Sequence, residues 1–317
     1  MALPPRRNRR PVACASVPAS DPAAFADVRQ MLVSIDDAHS TRWELIGRLT
    51  GGYQQGAYEL RDGSGGRAVL KWHAGYLPAK QLRETARALE EARARGWPTS
   101  KWLAYGALPN DSAYIVEEFI AGERPNRLER RVLERLLDAL DVQAGARPVT
   151  DQDWSSYIYR CVFEGEADLA RRMRARAETA ALLRRLEAIT APGRAVRLPS
   201  EDLVHGDFVL NNMIVRESQP YLLDAAHAGK GTRAYDLATL LMETTVGGDY
   251  VAPSLEMQHQ LEQECVAIVG RLGFLVCVAC RIMHLLVFGG VNWSDEVPGA
   301  ATKCDAFLDS LEATRTL

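Results

Sequence analysis

Two different periodicities divide this chain, and the division constrains its fold more than any other feature. Between residues 43 and 120 the apolar residues fall into short β-type runs at 43–49, 58–61, 67–73, 101–107 and 113–120, the length and character of strands. Gly51-Gly52, Asp62-Gly63 and Gly65-Gly66 punctuate them, as hairpin turns need residues that tolerate positive φ. Residues 79–95 place Leu82, Ala86, Leu89 and Ala92 on one helical stripe, closed by Gly96 and Pro98. After Gly122 and Pro125 the spacing becomes helical, over 127–142, 166–189, 237–245, 255–272 and 274–288. The expected fold is α+β and bilobal, with a small antiparallel-sheet lobe over residues 21–120 and a larger, mostly helical lobe over 121–317. Residues 1–20, rich in Pro, Arg, Ala and Ser, read as a flexible tail. Asp21-Pro22 then reads as a helix start, followed by Phe25, Val28, Met31 and Leu32 at helical spacing.

Composition narrows the function. At 317 residues, with 47% hydrophobic and 25% charged residues, the chain can bury the cores of two lobes. Its 38 Lys+Arg stand against 41 Asp+Glu, so there is no basic field to gather nucleic acid or an anionic membrane, and neither is an expected partner. Six scattered cysteines suggest no disulfide framework and a reducing, cytoplasmic location. Cys277-x-x-Cys280 has zinc or redox spacing, but no second pair at ligand spacing accompanies it, and two small core residues one helical turn apart account for it. Arg6, Arg7, Arg9 and Arg10 precede only a brief apolar run at 12–17, too short for a signal peptide. The most apolar stretch, 274–291, is interrupted by Arg281 and His284 and reads as a buried helix.

The helical pattern is broken once, where two short apolar runs, 213–215 and 221–223, flank a polar turn. Here stand His205-Gly206-Asp207-Phe208-Val209-Leu210-Asn211-Asn212 and, at the end of the second run, Asp224. Phosphoryl transfer needs a carboxylate to orient and deprotonate a hydroxyl, plus oxygen ligands for the Mg²⁺ on the nucleotide phosphates. This segment holds both kinds of group. Any one of these residues alone would read as part of a solvated turn, whereas the ordered set does not.

His205-Gly206-Asp207-x-x-x-x-Asn212, then Leu222-Leu223-Asp224, then Gly231-x-x-x-Tyr235-Asp236-Leu237-Ala238, resembles the aminoglycoside phosphotransferase family, protein-kinase-like enzymes that phosphorylate antibiotics and metabolites. The resemblance spans roughly residues 43–290 and implies a protein-kinase-like fold. It implies that Asp207 is the catalytic base, that His205 braces the loop, that Asn212 and Asp224 hold Mg²⁺, and that Asp236 is a buried structural acid. Upstream, Lys71 in Ala68-Val69-Leu70-Lys71 matches the strand lysine over the α- and β-phosphates. Glu84 matches its helix partner, with Glu90 and Glu91 as competitors. The loop at 50–57, with Gly51 and Gly52, matches the phosphate-covering loop, although a plain glycine hairpin explains it as well. Residues 117–120 match the linker whose backbone takes the adenine edge, through Glu118 and Ile120, with ATP or GTP both open. One departure is Ala225-Ala226-His227, where relatives carry a bulky residue after the metal-binding acid; His227 reads as structural or as lining the site.

The expected activity is transfer of a γ-phosphate to a hydroxyl of a small molecule, an antibiotic first, as a resistance or self-resistance enzyme. A metabolic kinase acting on choline, homoserine, a sugar or a nucleoside comes second. A catalytically silent binding module comes third, since Asp207, Asp224 and Lys71 are all present. Residues 151–168 hold Asp151, Asp153, Glu164, Glu166 and Asp168 against Arg160 alone, a field suited to a cationic acceptor or simply a solvated surface. Trp154, Tyr157, Tyr159 and Phe163 lie among these acids and would either stack on a ring or pack.

Overall fold

The β-type runs of the first third form one antiparallel sheet in the computed structural model, which describes residues 16–18, 25–49, 56–73, 78–108, 112–247, 250–289 and 297–313. Six strands, β1 (Ser16–Pro18), β2 (Trp43–Leu49), β3 (Ala57–Asp62), β4 (Arg67–His73), β5 (Trp102–Ala107) and β6 (Ala113–Glu118), pair in the order β1-β2-β3-β4-β6-β5. Strand β1 lies within the expected tail, where Ser16 to Pro18 pair antiparallel with Leu49 to Gly47. Backbone register made that strand, so side-chain periodicity gave no sign of it. Helix α1 (Ala26–His39) seats Val28, Met31, Leu32 and Ile35 against Leu45, Leu60, Leu70 and Val116 of the sheet, which puts a continuous apolar core under one face. The Asp21-Pro22 start lies outside the described residues. Helix α2 (Ala79–Ala94) follows β4 and buries Leu82, Thr85, Ala88, Leu89 and Ala92.

The chain divides into two compact units. The first comprises residues 1–93, 98–125 and 213–223; the second comprises 94–97, 126–212 and 224–317. The hairpin β8 (Met213–Arg216) and β9 (Gln219–Leu222) therefore belongs to the first unit, although the sequence placed it in the second lobe. Its two-residue turn, Glu217-Ser218, has φ of 53° and 65°, the primed geometry that matches strand twist. Backbone bonds fix the hairpin: Glu123 and Val215 exchange N–H···O contacts, and the Leu222 N–H donates to Pro98 O.

The second unit is helical: α3 (Arg130–Gln143), α4 (Trp154–Phe163), α5 (Leu169–Arg174), α6 (Ala177–Thr190), α7 (Ala234–Thr245), α8 (Leu255–His284) and α9 (Val297–Ala313). The helix expected over 166–189 is broken into a 3-10 turn, α5 and α6. Ala167 and Asp168 take left-handed φ of 55°, and Arg176 is extended. The Thr179 hydroxyl donates to Met173 O, satisfying an end carbonyl of α5 that the break would orphan. Helix α8 bends at Gly270, φ 70°, three residues before the expected break at Gly273. It is long and apolar enough to cross a membrane, yet Phe274 through Cys280 are buried against protein of this unit, consistent with a core helix. A short antiparallel pair, β7 (Asp202–Val204) with β10 (Gly229–Gly231), completes the unit. The five described cysteines are free thiols.

Candidate active site

The loop that leaves β7 is shaped by one buried acid. Asp236, in the first turn of α7, accepts the His205 N–H at 2.8 Å, the Gly206 N–H at 3.0 Å and Gln143 Nε2 at 2.8 Å. Burial pushes its carboxyl pKa up, while the nearby His205 and these three donors act in the opposite direction. Gly206 has φ 85°, and a Cβ there would lie 2.1 Å from the Trp154 ring, so the loop requires glycine at this point. His205 is buried, its Nδ1 accepts the Asp207 N–H at 3.3 Å, and its ring meets Phe208 edge-on. It acts as a brace that faces inward, away from solvent.

These bonds turn Asp207 outward, with its side chain half exposed. Asn212 Nδ2 donates to Asp207 Oδ2 at 2.8 Å and to its backbone carbonyl at 3.0 Å. Arg281 Nη2 lies 3.1 Å from Asp207 Oδ1 and 2.7 Å from Glu243 Oε1. Burial alone would lower the Arg281 pKa, but Glu243 and Asp207 outweigh it and hold the pKa above its usual value. Neither Arg281 nor Glu243 was marked by the sequence. The available signal was an arginine inside the most apolar helix, where a buried charge must find counter-charges.

Asp224 sits after β9 with φ 61°, a left-handed conformation that aspartate tolerates better than most residues. Ala225 and Ala226 are buried and His227 follows in the same 3-10 turn. The His227 carbonyl accepts Trp154 Nε1 at 2.9 Å. Solvent reaches the His227 ring, yet the protein packed around it lowers its pKa by desolvation, opposed by the charges of Asp224 and Asp207.

In the first unit Lys71 Nζ lies 2.6 Å from Glu117 Oε1, and Glu117 Oε2 accepts the Ser100 hydroxyl at 2.6 Å. Strand register explains this pair. Lys71 stands opposite Ile115, and Glu117, two residues on, shares its face. Glu84 lies 3.5 Å from Lys80 and Glu91 2.8 Å from Arg87, and Glu117 adds a carboxylate beside Lys71 that the sequence did not suggest. The Glu118 N–H donates to Lys101 O. Ile120 is half-buried just beyond β6. Gly51 and Gly52 lie outside the described residues.

Residues 46–265 match the phosphotransferase enzyme family, APH. The chain belongs to that family. Comparison with curated proteins gives no match. Among solved structures, aminoglycoside phosphotransferase APH(4)-Ia superposes with a TM-score of 0.67 at 17% identity, over 90% of this chain and 98% of that one. A thermostable variant of that enzyme, in a ternary complex with ADP and hygromycin B, gives 0.65 at 16% identity over the same shares. Amicoumacin kinase hAmiN, in complex with AMP-PNP, Ca²⁺ and Ami, gives 0.60 at 12% identity, over 89% and 96%. The fold is thus the kinase-like fold of these enzymes, and family membership makes this phosphotransferase a small-molecule kinase.

Three acids of the acid-rich segment of this phosphotransferase are paired, Glu166 within the segment and Asp168 and Asp153 with bases outside it. Glu166 binds Arg160 at 2.9 Å, Asp168 binds Arg171 at 2.6 Å, and Asp153 caps α4 through the Ser156 N–H and faces Lys230 at 3.9 Å. The aromatic residues are mostly packing: Trp154 stacks on Tyr235, Tyr157 contacts His284, and Tyr159 leans on Phe163.

Proposed function

We propose that this protein transfers the γ-phosphate of ATP to a hydroxyl group of a polyhydroxylated small molecule, an antibiotic in the first instance. The observation that carries the reading is the Asp207 carboxylate, held outward between Asn212 and Arg281. Each carboxylate oxygen has two acceptor sites, so these contacts leave capacity to accept the proton of an incoming hydroxyl. Arg281 places a guanidinium beside that carboxylate and orients it. His205 and Asp236 hold the backbone of the loop, which fixes the base without contacting the acceptor.

A divalent cation fits the donors present. Asn212 spends its amide N–H on Asp207, which leaves its carbonyl oxygen, with the carboxylate of Asp224, as hard oxygen ligands of the kind Mg²⁺ prefers. Such an ion would neutralise phosphate charge during transfer. Lys71, paired with Glu117, is the cation we assign to the α- and β-phosphates. ATP is favoured over GTP because related structures hold ADP and AMP-PNP.

The antibiotic acceptor rests on the likeness to enzymes solved with hygromycin B and amicoumacin. A second reading, a neutral metabolite such as a sugar or nucleoside, is favoured by the pairing of Asp153, Glu166 and Asp168, which shrinks the field available to a polycation. The deciding experiment is Mg²⁺-dependent ADP release over a panel of aminoglycosides, basic peptide antibiotics, macrolides, nucleosides, choline, homoserine and sugars, with Asp207→Ala beside it. Turnover that the variant lacks identifies the acceptor class. Nucleotide binding without turnover on any member overturns the antibiotic reading, and no nucleotide binding overturns the kinase reading.

A further inference from the structure

Two facing helices of the second unit each present a pair of ligand-type side chains one turn apart. Helix α4 carries Tyr157 and Cys161, and helix α8 carries Cys280 and His284, both at the i, i+4 spacing that places two groups on one helical face. The Sγ atoms of Cys161 and Cys280 and a ring nitrogen of His284 all lie within 4.8 Å of one another. Cys161 Sγ is 3.9 Å from His284 Nε2, and Tyr157 Oη is 3.1 Å from the same nitrogen. A tetrahedral zinc site, with Zn–S near 2.3 Å and Zn–N near 2.0–2.1 Å, spaces its sulfur and nitrogen ligands about 3.5 Å apart. The cluster therefore needs only a small inward movement of the side chains to take an ion.

We propose that Cys161, Cys280 and His284 bind one thiophilic divalent cation of the Zn²⁺ class, with the Tyr157 oxygen or a water at the fourth position. Binding releases the two thiol protons. Cys161 and Cys280 are fully buried, while His284 is half-buried and gives the ion its entry path. The ion would tie α4 to α8 at the residue preceding Arg281, and so fix the helix turn that carries Arg281 to Asp207. It is separate from the Mg²⁺ ligands assigned above and does not depend on that assignment. The pairing that makes it is Cys280 with His284 and a cysteine 119 residues upstream (Cys161 to Cys280), and the Cys277-x-x-Cys280 spacing plays no part in it.

The test uses the full chain, purified without chelator, with metal content measured by inductively coupled plasma mass spectrometry and Co²⁺ titration followed in the visible. About one ion per chain and the intense absorption of tetrahedral thiolate-bound Co²⁺ are expected. Cys161→Ser and His284→Asn, each checked for native circular dichroism, should weaken Co²⁺ binding by more than the roughly 10- to 100-fold that loss of an outer-shell partner costs. His284→Asn, at the half-buried position, keeps the test open if Cys161→Ser fails to fold. Absence of both zinc and a Co²⁺ spectrum overturns the proposal, as does binding that survives His284→Asn unchanged. A thiol count two short in metal-free protein would replace the site with a Cys161–Cys280 disulfide and overturn it equally.

Discussion

Arg281 joins two carboxylates of unequal exposure: Asp207, half open to solvent, at 3.1 Å and Glu243, buried, at 2.7 Å. The two contacts separate catalysis from stability. Asp207→Ala should reduce phosphoryl transfer by about 10²- to 10⁴-fold, the usual worth of a general base, with ADP affinity and the denaturation midpoint close to wild type. Arg281→Ala strands Glu243 as a buried unpaired charge and should cost about 3–5 kcal/mol. Adding Glu243→Gln should restore much of that loss in urea denaturation. An Asp207→Ala protein with wild-type turnover would end the base assignment.

The Lys71–Glu117 pair gives a second prediction. Glu117 is almost wholly buried and also holds Ser100, so its removal would leave the ammonium poorly placed. Lys71→Ala and Glu117→Gln should each raise the KM for nucleotide by about tenfold or more, equivalent to ~1.4 kcal/mol. Glu84→Gln, at the helix glutamate whose side chain is mostly buried beside Lys80, is the comparison. Initial rates at varied ATP distinguish the three, and a wild-type KM in Glu117→Gln would remove Glu117 from nucleotide binding.

Gly206 offers a stability test that no catalytic argument enters. Alanine there combines a left-handed φ of 85° with a Cβ 2.1 Å from the Trp154 ring. The overpacking term alone is about 1–3 kcal/mol, and backbone strain adds to it. Thermal unfolding of Gly206→Ala should show the loss, and Trp154→Ala in the same background should recover less than its steric part, because Trp154 also packs on Tyr235. A Gly206→Ala protein of native stability would mean that the loop relaxes freely.

What was legible in the sequence follows one physical line. Strands β2 to β6, helices α1 and α2 and the hairpin at Met213–Leu222 were visible because each buries a face at its own period. The break at Arg176 was not, because Arg171–Glu178 contains neither glycine nor proline, and the Thr179 hydroxyl that stabilises it acts through the folded backbone. Strands β1, β7 and β10 are three residues each, too short to show a period. In the site, Asp207, Asn212 and Asp224 stood out through their order along the chain. Arg281, Glu243 and Glu117 did not, since their roles come from helix packing and strand register between residues far apart in sequence.

The last prediction concerns acid. The imidazolium pKa of His227 is lowered in the folded protein by desolvation, against the pull of Asp224 and Asp207. Below the ordinary histidine value of about 6.5, the unfolded chain binds a proton that the folded chain resists. Stability from this residue is therefore fully present above that value and is lost as pH falls through it toward the folded pKa. Melting temperatures of wild type and His227→Gln, compared from about pH 8 to about pH 5, isolate the contribution, because other groups, Asp236 among them, cancel in the difference. Wild type should lose more stability than the variant on acidification. Parallel curves would show that His227 titrates as it does in the unfolded chain, and that the protein around it does not desolvate the ring.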